Sequence, residues 1–250
     1  MKKILVLGDT HGNTMEMVRA IDFAHKKGAD AIFQVGDFGY WPHAGGARFL
    51  KETSKRAKLR SIPVYWVDGN HEDFLELYKN HDRTSKEPVR VRNYIYWMPR
   101  GSMLELEGVR ILAMGGAASI DRKFRRLGYS WFLEEMISDG DVALAEPADI
   151  VLSHDAPINP LDITGRPFVV DADSEFCRQQ MRRVVNIAQP SLVLHGHYHM
   201  YHNTPVMHRG GYAQVVGLGC DEDPDNMIML TLDDGNWQLT GVEPYGIIPE

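Results

Sequence analysis

Three times in its N-terminal third the chain repeats one theme: a short apolar run, a polar turn, then a helix-compatible segment. "KILVLG" precedes "NTMEMVRAIDFAHKKG", "ADAIFQVG" precedes "GGARFLKETSKRAKL", and "IPVYWVDG" precedes "EDFLELYKN". Strands alternating with helices in this way form a largely parallel sheet, because each crossover helix must return the chain to the same edge. In the first helix Met17, Ala20, Ile21 and Ala24 recur at helical spacing, and Gly28 supplies a stop.

Beyond about residue 90 the pattern changes to the strand-like runs "NYIYWM", "SMLELEG" and "VRILAMGG", whose short connections suggest antiparallel pairing. A strand "DIVLSH", a helix from about Asp173 to Ala188 and a strand "SLVLHG" follow. The tail, "GYAQVVGLG", "NMIMLTLDDG" and "NWQLTGVEPY", reads as all-β, with "DDGN" as a turn. No segment reads as a linker, repeat or low-complexity tract. The expected fold is therefore one α/β domain over residues 1–250, two packed β-sheets flanked by helices.

Composition narrows the function. With 250 residues, 44% of them hydrophobic and 24% charged, the chain is an ordinary globular protein with room for a substantial core. A formal net charge of −7 gives no global cationic field for a long nucleic acid. A small anionic substrate would need local positive charge from metal ions or a few arginines. Cys177 and Cys220 are the only cysteines, too few for a disulfide framework or a cysteine zinc site, which suits a reducing compartment. The apolar run "ILVL" is too short for a secretory signal and no stretch approaches a membrane span, so the expectation is a cytoplasmic protein without a membrane partner. Oligomeric state is not readable.

Five polar clusters fall at the carboxyl ends of expected strands: "GDTHG" (Asp9, His11), "GDFG" (Asp37), "GNHE" (Asn70, His71), "LSHDAP" (His154) and "LHGHYH" (His195, His197). That edge is where ligands bind in open α/β sheets. One such turn would be ordinary, but five turns that all carry metal-ligand residue types are not. Carboxylates, imidazoles and an amide oxygen make a mixed O/N donor set suited to Mn, Fe, Zn and similar divalent ions. There are too many donors for one tetrahedral ion, and a carboxylate can bridge two. Two ions ~3.5–4 Å apart clamp a phosphoryl group and ionise a water for in-line displacement.

The ordered elements D-x-H, G-D, G-N-H-[ED], a lone His and G-H-x-H, the last read at His195 and His197, resemble the signature of the calcineurin-like metallophosphoesterases. The likeness runs from Asp9 to His197. It implies a double β-sandwich with flanking helices and two divalent metal ions, Mn foremost, with Fe, Zn, Ni, Co or Mg as alternatives. It further implies that Asp9, His11, Asp37 and His197 hold one ion and Asp37, Asn70, His154 and His195 the other. His71 is then left to act on substrate, as proton donor to the leaving oxygen or as a phosphate contact. Glu72 is expected to open the next helix, with no catalytic role.

One departure bears on substrate. Many members carry G-D-x-x-D, whose second Asp orients the catalytic His, and here "GDFGY" puts Tyr40 in that place. The expected enzyme is thus a phosphoric ester hydrolase of the phosphodiesterase kind, acting on a small diester such as a 2′,3′- or 3′,5′-cyclic nucleotide. The alternatives are a phosphomonoesterase or protein phosphatase, a dinucleoside-polyphosphate hydrolase, and a non-catalytic scaffold on the same fold. Weaker substrate candidates are Tyr40 and Trp41 in "YWPH", and Arg122 and Arg125 in "DRKFRRLGYSW", since arginines favour phosphate. His199, His202 and His208 read as surface or hydrogen-bonded residues.

Overall fold

A computed structural model describes residues 1–158 and 171–242. The first third holds β1 (Lys2–Leu7), α1 (Thr14–Lys26), β2 (Ala31–Gln34), α2 (Ala44–Arg60), β3 (Val64–Trp66) and α3 (Phe74–Asn80). Next come β4 (Val89–Arg92), β5 (Ile95–Trp97), β6 (Met103–Leu106), β7 (Val109–Met114), the single turn α4 (Asp139–Val142) and β8 (Ile150–Ser153). The remainder comprises α5 (Ala172–Ala188), β9 (Leu192–His195), β10 (His202–His208), β11 (Gly211–Gly217), β12 (Met227–Asp233) and β13 (Asn236–Gly241). The part of "NWQLTGVEPY" from residue 243 onward lies outside the described residues.

The strands form a seven-stranded sheet in the order β13-β12-β1-β2-β3-β5-β4 and a six-stranded sheet in the order β10-β11-β9-β8-β7-β6. In the first sheet β1, β2, β3 and β5 run parallel. In the second, β7, β8, β9 and β11 do. The antiparallel reading beyond residue 90 holds for β6 with β7 and β4 with β5, whereas "NYIYWM" also joins the parallel set through β3.

Strand alternation builds three layers of core. Ile4 and Val6, Phe33 and Val35, Ile111 and Ala113, Ile150 and Leu152, Leu192 and Leu194 meet between the two sheets. The intervening Leu5, Leu7 and Ile32 face outward onto Met17, Ala20, Ile21 and Ala24 of α1 and Phe49, Leu50 and Ala57 of α2. On the far side Leu112, Val151 and Val193 pack on Met181, Val184, Val185 and Ala188 of α5. Strands covered on both faces need apolar residues at every position, which is why they read as continuous apolar runs. The result is the expected two-sheet sandwich with helices outside.

Local signals set the helix ends. Asn13 caps α1 by accepting from the backbone of Met15 and Glu16, and Gly28 follows the helix at φ 69°. Asp234 and Gly235, both at positive φ, make the tight turn joining β12 to β13 that "DDGN" forecast. No described helix is long and apolar enough to cross a membrane.

Candidate metal centre

The polar turns after β1, β2, β3, β8 and β9 converge at one edge of the sandwich. Asp9 and Asp37, both buried, form its floor. Asp37 Oδ1 accepts from the backbone N–H groups of Asn70 and His71, each at 2.8 Å, and lies 3.5 Å from His154 Nε2. Its Oδ2 is 3.5 Å from His11 Nε2. Asp9 accepts the backbone N–H of His197 at 3.2 Å on both oxygens. A Cβ on Gly69 would sit 2.1 Å from Asp37 Oδ1 and one on Gly196 2.0 Å from Asp9 Oδ1, so these two turns close on the carboxylates only because both residues are glycine.

Three of the donors are aimed by a partner behind them. His154 Nδ1 donates to Val35 O at 2.8 Å, which turns its Nε2 toward Asn70 Oδ1 at 3.1 Å. Asn70 Nδ2 donates to Ser119 Oγ at 3.0 Å, so its amide oxygen faces inward. His11 Nδ1 lies 3.0 Å from Asp221 Oδ1, while Asp221 Oδ2 accepts from Asn13 Nδ2 at 2.9 Å. Carboxylate or carbonyl backing of this kind fixes the tautomer of a metal-binding imidazole. Four of the ten described non-glycine residues at positive φ are in the cluster: His11, Asp37, His197 and His199. Backbone strain of this sort gathers at functional sites.

The charge balance calls for cations. Burial alone would raise Asp37, but His154 and His11 beside it hold its carboxyl well below the usual range. Burial likewise opposes a charge on His154, yet Asp37 and Asp9 push it up to about 10. His11 is pushed up to about 9 against burial by Asp37, Asp221 and Asp9. Among the described residues, two ligand triads meet the distance requirement for an ion, Asp9–Asp37–His154 and Asp9–His11–His199.

The turn after β9 differs from the expectation. His195, the last residue of β9, is fully buried and faces away from the cluster: its Nδ1 contacts Gly196 O at 2.9 Å and its Nε2 contacts His202 Nε2 at 2.7 Å. A carbonyl only accepts, so Nδ1 of His195 carries the proton; His202 then donates from Nε2 and takes a hydrogen bond on Nδ1 from Thr204 Oγ1, 3.1 Å away. Burial pushes His195 down to about 3 and His202 down to about 4, so both rings are neutral. His199, read from the sequence as a surface or hydrogen-bonded residue, is exposed, yet its Nε2 lies 3.1 Å from Asp9 Oδ2 and its ring 5.0 Å from that of His11, which brings it into the cluster. The ring of His197 lies 5.1 Å from that of His154. The residues Gly196-His197-Tyr198-His199 themselves spell G-H-x-H, a frame two residues later than the one read at His195 and His197, and that is the signal that would have found His199.

Other expectations are also redistributed. Glu72 does not open α3, whose N-cap is Asp73; it is buried and accepts from the backbone N–H groups of Phe38, Gly39 and Tyr40, clamping the turn that carries Asp37. Tyr40 is no substrate wall: it is buried, stacked on Trp66, with its hydroxyl 3.2 Å from His81 Nε2. Trp41 donates from Nε1 to His71 O at 2.7 Å and so braces that loop. Arg122 is paired with Asp173, whereas Arg125 reaches the site, its Nη2 lying 3.0 and 2.5 Å from the two ring nitrogens of His71. His71 itself is 40% exposed, with Nε2 3.9 Å from Asp37 Oδ2.

A two-sheet sandwich that gathers buried carboxylates and imidazoles at one sheet edge has the architecture and donor set of a divalent-metal site. The family profile of the calcineurin-like phosphoesterases matches residues 2–201, and the chain belongs to that family, which is dinuclear metal-dependent and hydrolyses phosphoric esters. No curated protein sequence matches the chain. Among solved structures it resembles TT1561 of Thermus thermophilus at 15% identity and TM-score 0.58, covering 96% of this chain and 98% of that one. A dimetal phosphatase from Danio rerio aligns at 14% identity and TM-score 0.58, covering 96% of this chain and 95% of that one. At these identities the likeness speaks to fold.

Proposed function

We propose that the chain is a dinuclear metal-dependent phosphodiesterase acting on a small, nucleotide-like diester, with Mn²⁺ the foremost candidate ion. In this reading Asp9, His11, Asp37 and His199 hold one ion, and Asp37, Asn70, His154 and His197 the other. The donor set fits: two buried carboxylates, an inward amide oxygen and imidazoles suit divalent ions of intermediate softness. When bound, the two ions clamp the phosphoryl oxygens and ionise a water for in-line displacement.

The observation that carries the diester reading is the Arg125–His71 pair. Arg125 brings one guanidinium to the place where the phosphate enters, while Arg122, the nearest arginine before it, is engaged by Asp173. The pair therefore matches the single charge of a diester better than the two charges of a monoester. No carboxylate stands at position 40 to hold His71 as imidazolium, and Tyr40 faces His81 instead. An incoming phosphate competes for the guanidinium of Arg125 and frees the ring of His71. The freed ring takes up a proton from solvent and passes it to the leaving oxygen as the water oxygen bonds to phosphorus and the old P–O bond breaks.

The test is kcat/KM with added Mn²⁺ for matched nitrophenyl monoester and diester, beside cyclic nucleotides, linear dinucleotides and a phosphopeptide. The diester is expected to lead, and a lead for the monoester or phosphopeptide would replace this reading with a phosphatase. His71→Ala should keep its metal content and lose roughly 10²–10⁴-fold in rate on poor leaving groups, less on nitrophenolate. An equal loss for both leaving groups would recast His71 as a phosphate contact.

A further inference from the structure

The connection from β7 to β8 has a fixed base and an exposed tip. At the base, Ser119 Oγ receives Asn70 Nδ2, Glu135 Oε1 accepts from Ser119 N at 2.8 Å and from Trp131 Nε1 at 2.9 Å, and Ala117 N donates to Glu135 O. The tip is also ordered: the backbone N–H groups of Tyr129, Ser130 and Trp131 all donate to Arg126 O. Yet Phe124 is 82% and Tyr129 71% exposed, with Leu127 exposed between them. Rings held in water on a hydrogen-bonded turn beside a reaction centre mark a surface made to be covered.

The cations on this tip divide into two sets. Arg122 and Arg125 are engaged by Asp173, Asp121 and His71. Lys123 Nζ lies 5.2 Å from the centroid of Phe124, and Arg126 Cζ lies 5.7 Å from that of Tyr129. Among the described residues neither Lys123 nor Arg126 has a carboxylate within ion-pair distance. Two cation–ring pairs thus flank Arg125, which touches His71.

Rings alternating with unpaired cations form the platform that single-stranded nucleic acid requires, since every base presents a π-face and every linkage an anion. The chain's net charge of −7 restricts that cationic surface to the lip itself, so the footprint is a few nucleotides and not a long strand. A lipid surface is the less favoured cover, because the aliphatic part of the tip is small and broken by charges.

We propose that residues 122–130 form a stacking platform for the bases of a short single-stranded oligonucleotide whose scissile diester lies at Arg125. This rests on the phosphodiesterase reading and adds to it that linear oligonucleotides outrank small diesters lacking a base. The test compares the full chain with Phe124→Ala/Tyr129→Ala, Lys123→Ala/Arg126→Ala and Phe124→Trp, in Mn²⁺, on thymidylyl-thymidine and on methyl nitrophenyl phosphate. Binding of fluorescein-labelled hexathymidylate is followed by anisotropy in Ca²⁺.

The ratio of kcat/KM for dinucleotide over methyl nitrophenyl phosphate should fall about 5- to 100-fold for each stacked base lost, and hexathymidylate should weaken in step. Phe124→Trp should restore the ratio. Equal losses on both substrates, or none, would overturn the platform. So would ring variants that release the protein from anionic vesicles or change its oligomeric state while hexathymidylate binding holds. If the wild type hydrolyses only monoesters, the phosphodiesterase reading fails by itself, and the anisotropy of the ring variants still decides the platform.

Discussion

The turn after β3 and the turn after β9 both set histidines beside a glycine at the sheet edge, yet they distribute them differently. After β3, Gly69 lets the backbone close on Asp37, and the next two residues diverge: Asn70 turns inward to His154 and Ser119, His71 outward to Arg125. After β9, histidines stand at 195, 197 and 199, a spacing that would align all three on one face of a continuing strand. The strand does not continue. The chain breaks at Gly196 and passes through left-handed conformations at His197 and His199, which leaves His195 on the interior side and carries His199 to Asp9. Adjacent polar residues at a turn can be assigned by type, but alternate ones cannot be assigned without the geometry of the break.

The strongest way to break the comparison is at Asp37, the carboxylate on which the β3 turn closes. Asp37 lies 3.5 Å from His11 Nε2 and 3.5 Å from His154 Nε2, one histidine from each proposed ligand set. Asp37→Ala should lose both metals and fall to background activity, because two cations would lose the one anion they share. Elemental analysis of the desalted variant is the check, and two metals retained would sink the site as drawn.

The next pair sharpens the β9 turn itself. His199→Ala should lose about one metal per chain, since it removes the imidazole nearest Asp9 and leaves the fold intact. His195→Ala should keep both metals and lose on the order of 2–4 kcal/mol in stability, because it opens a cavity and strands the Nε2–H of His202. Metal counts and chemical denaturation of the two variants give opposite readings if the assignment is right. A metal lost from His195→Ala with stability unchanged would return His195 to the ligand set.

A smaller effect is expected at Asp221, 210 residues from the His11 it backs. Asp221→Asn still offers an oxygen to His11 but no charge, so affinity for the ion at His11 should drop about 10- to 100-fold. A competitive chelator titration that resolves two binding steps would see only one of them move. Equal weakening of both steps would mean that Asp221 acts through the fold rather than through His11.

These cases mark what could be read from residues alone. The two-sheet sandwich was legible because its strands are covered on both faces and its helices carry regular apolar spacing, and the five turns that converge were legible because each combines a strand end with donor residues. Asp221 was not, since nothing in "CDEDPD" links it to His11 except the antiparallel return of β12 beside β1. Glu72 was misjudged because a carboxylate before a helix is ordinarily there for the dipole, whereas three backbone N–H groups claim this one. The two arginines of one segment were indistinguishable by type; Asp173 takes Arg122 and leaves Arg125 to the site.

The smallest expected effect tests the base of the β7–β8 connection against the rigid turns around it. Glu135 is buried, one of its oxygens accepts from Ser119 and Trp131, and Oε2 has no partner among the described residues. Burial raises its carboxyl to about 7, against the two hydrogen bonds that favour the charge. The folded protein therefore holds this proton over a range where the unfolded chain, titrating near the ordinary glutamate value of about 4.3, has released it. Bound protons in excess on the folded side mean that stability falls as pH rises from that value through about 7, and levels off above it. Glu135→Gln keeps an acceptor for Ser119 and Trp131 and cannot ionise. Its Tm should gain on the wild type as pH rises across this window, by an amount on the order of 1–3 kcal/mol at the upper end, or roughly 2–10 °C for a chain of this size. Scanning calorimetry of both proteins in matched buffers near pH 5 and pH 8 gives the comparison. A Tm difference that is the same at both pH values would show that Glu135 is ionised throughout, held by Arg125 across the connection and not neutralised by its burial.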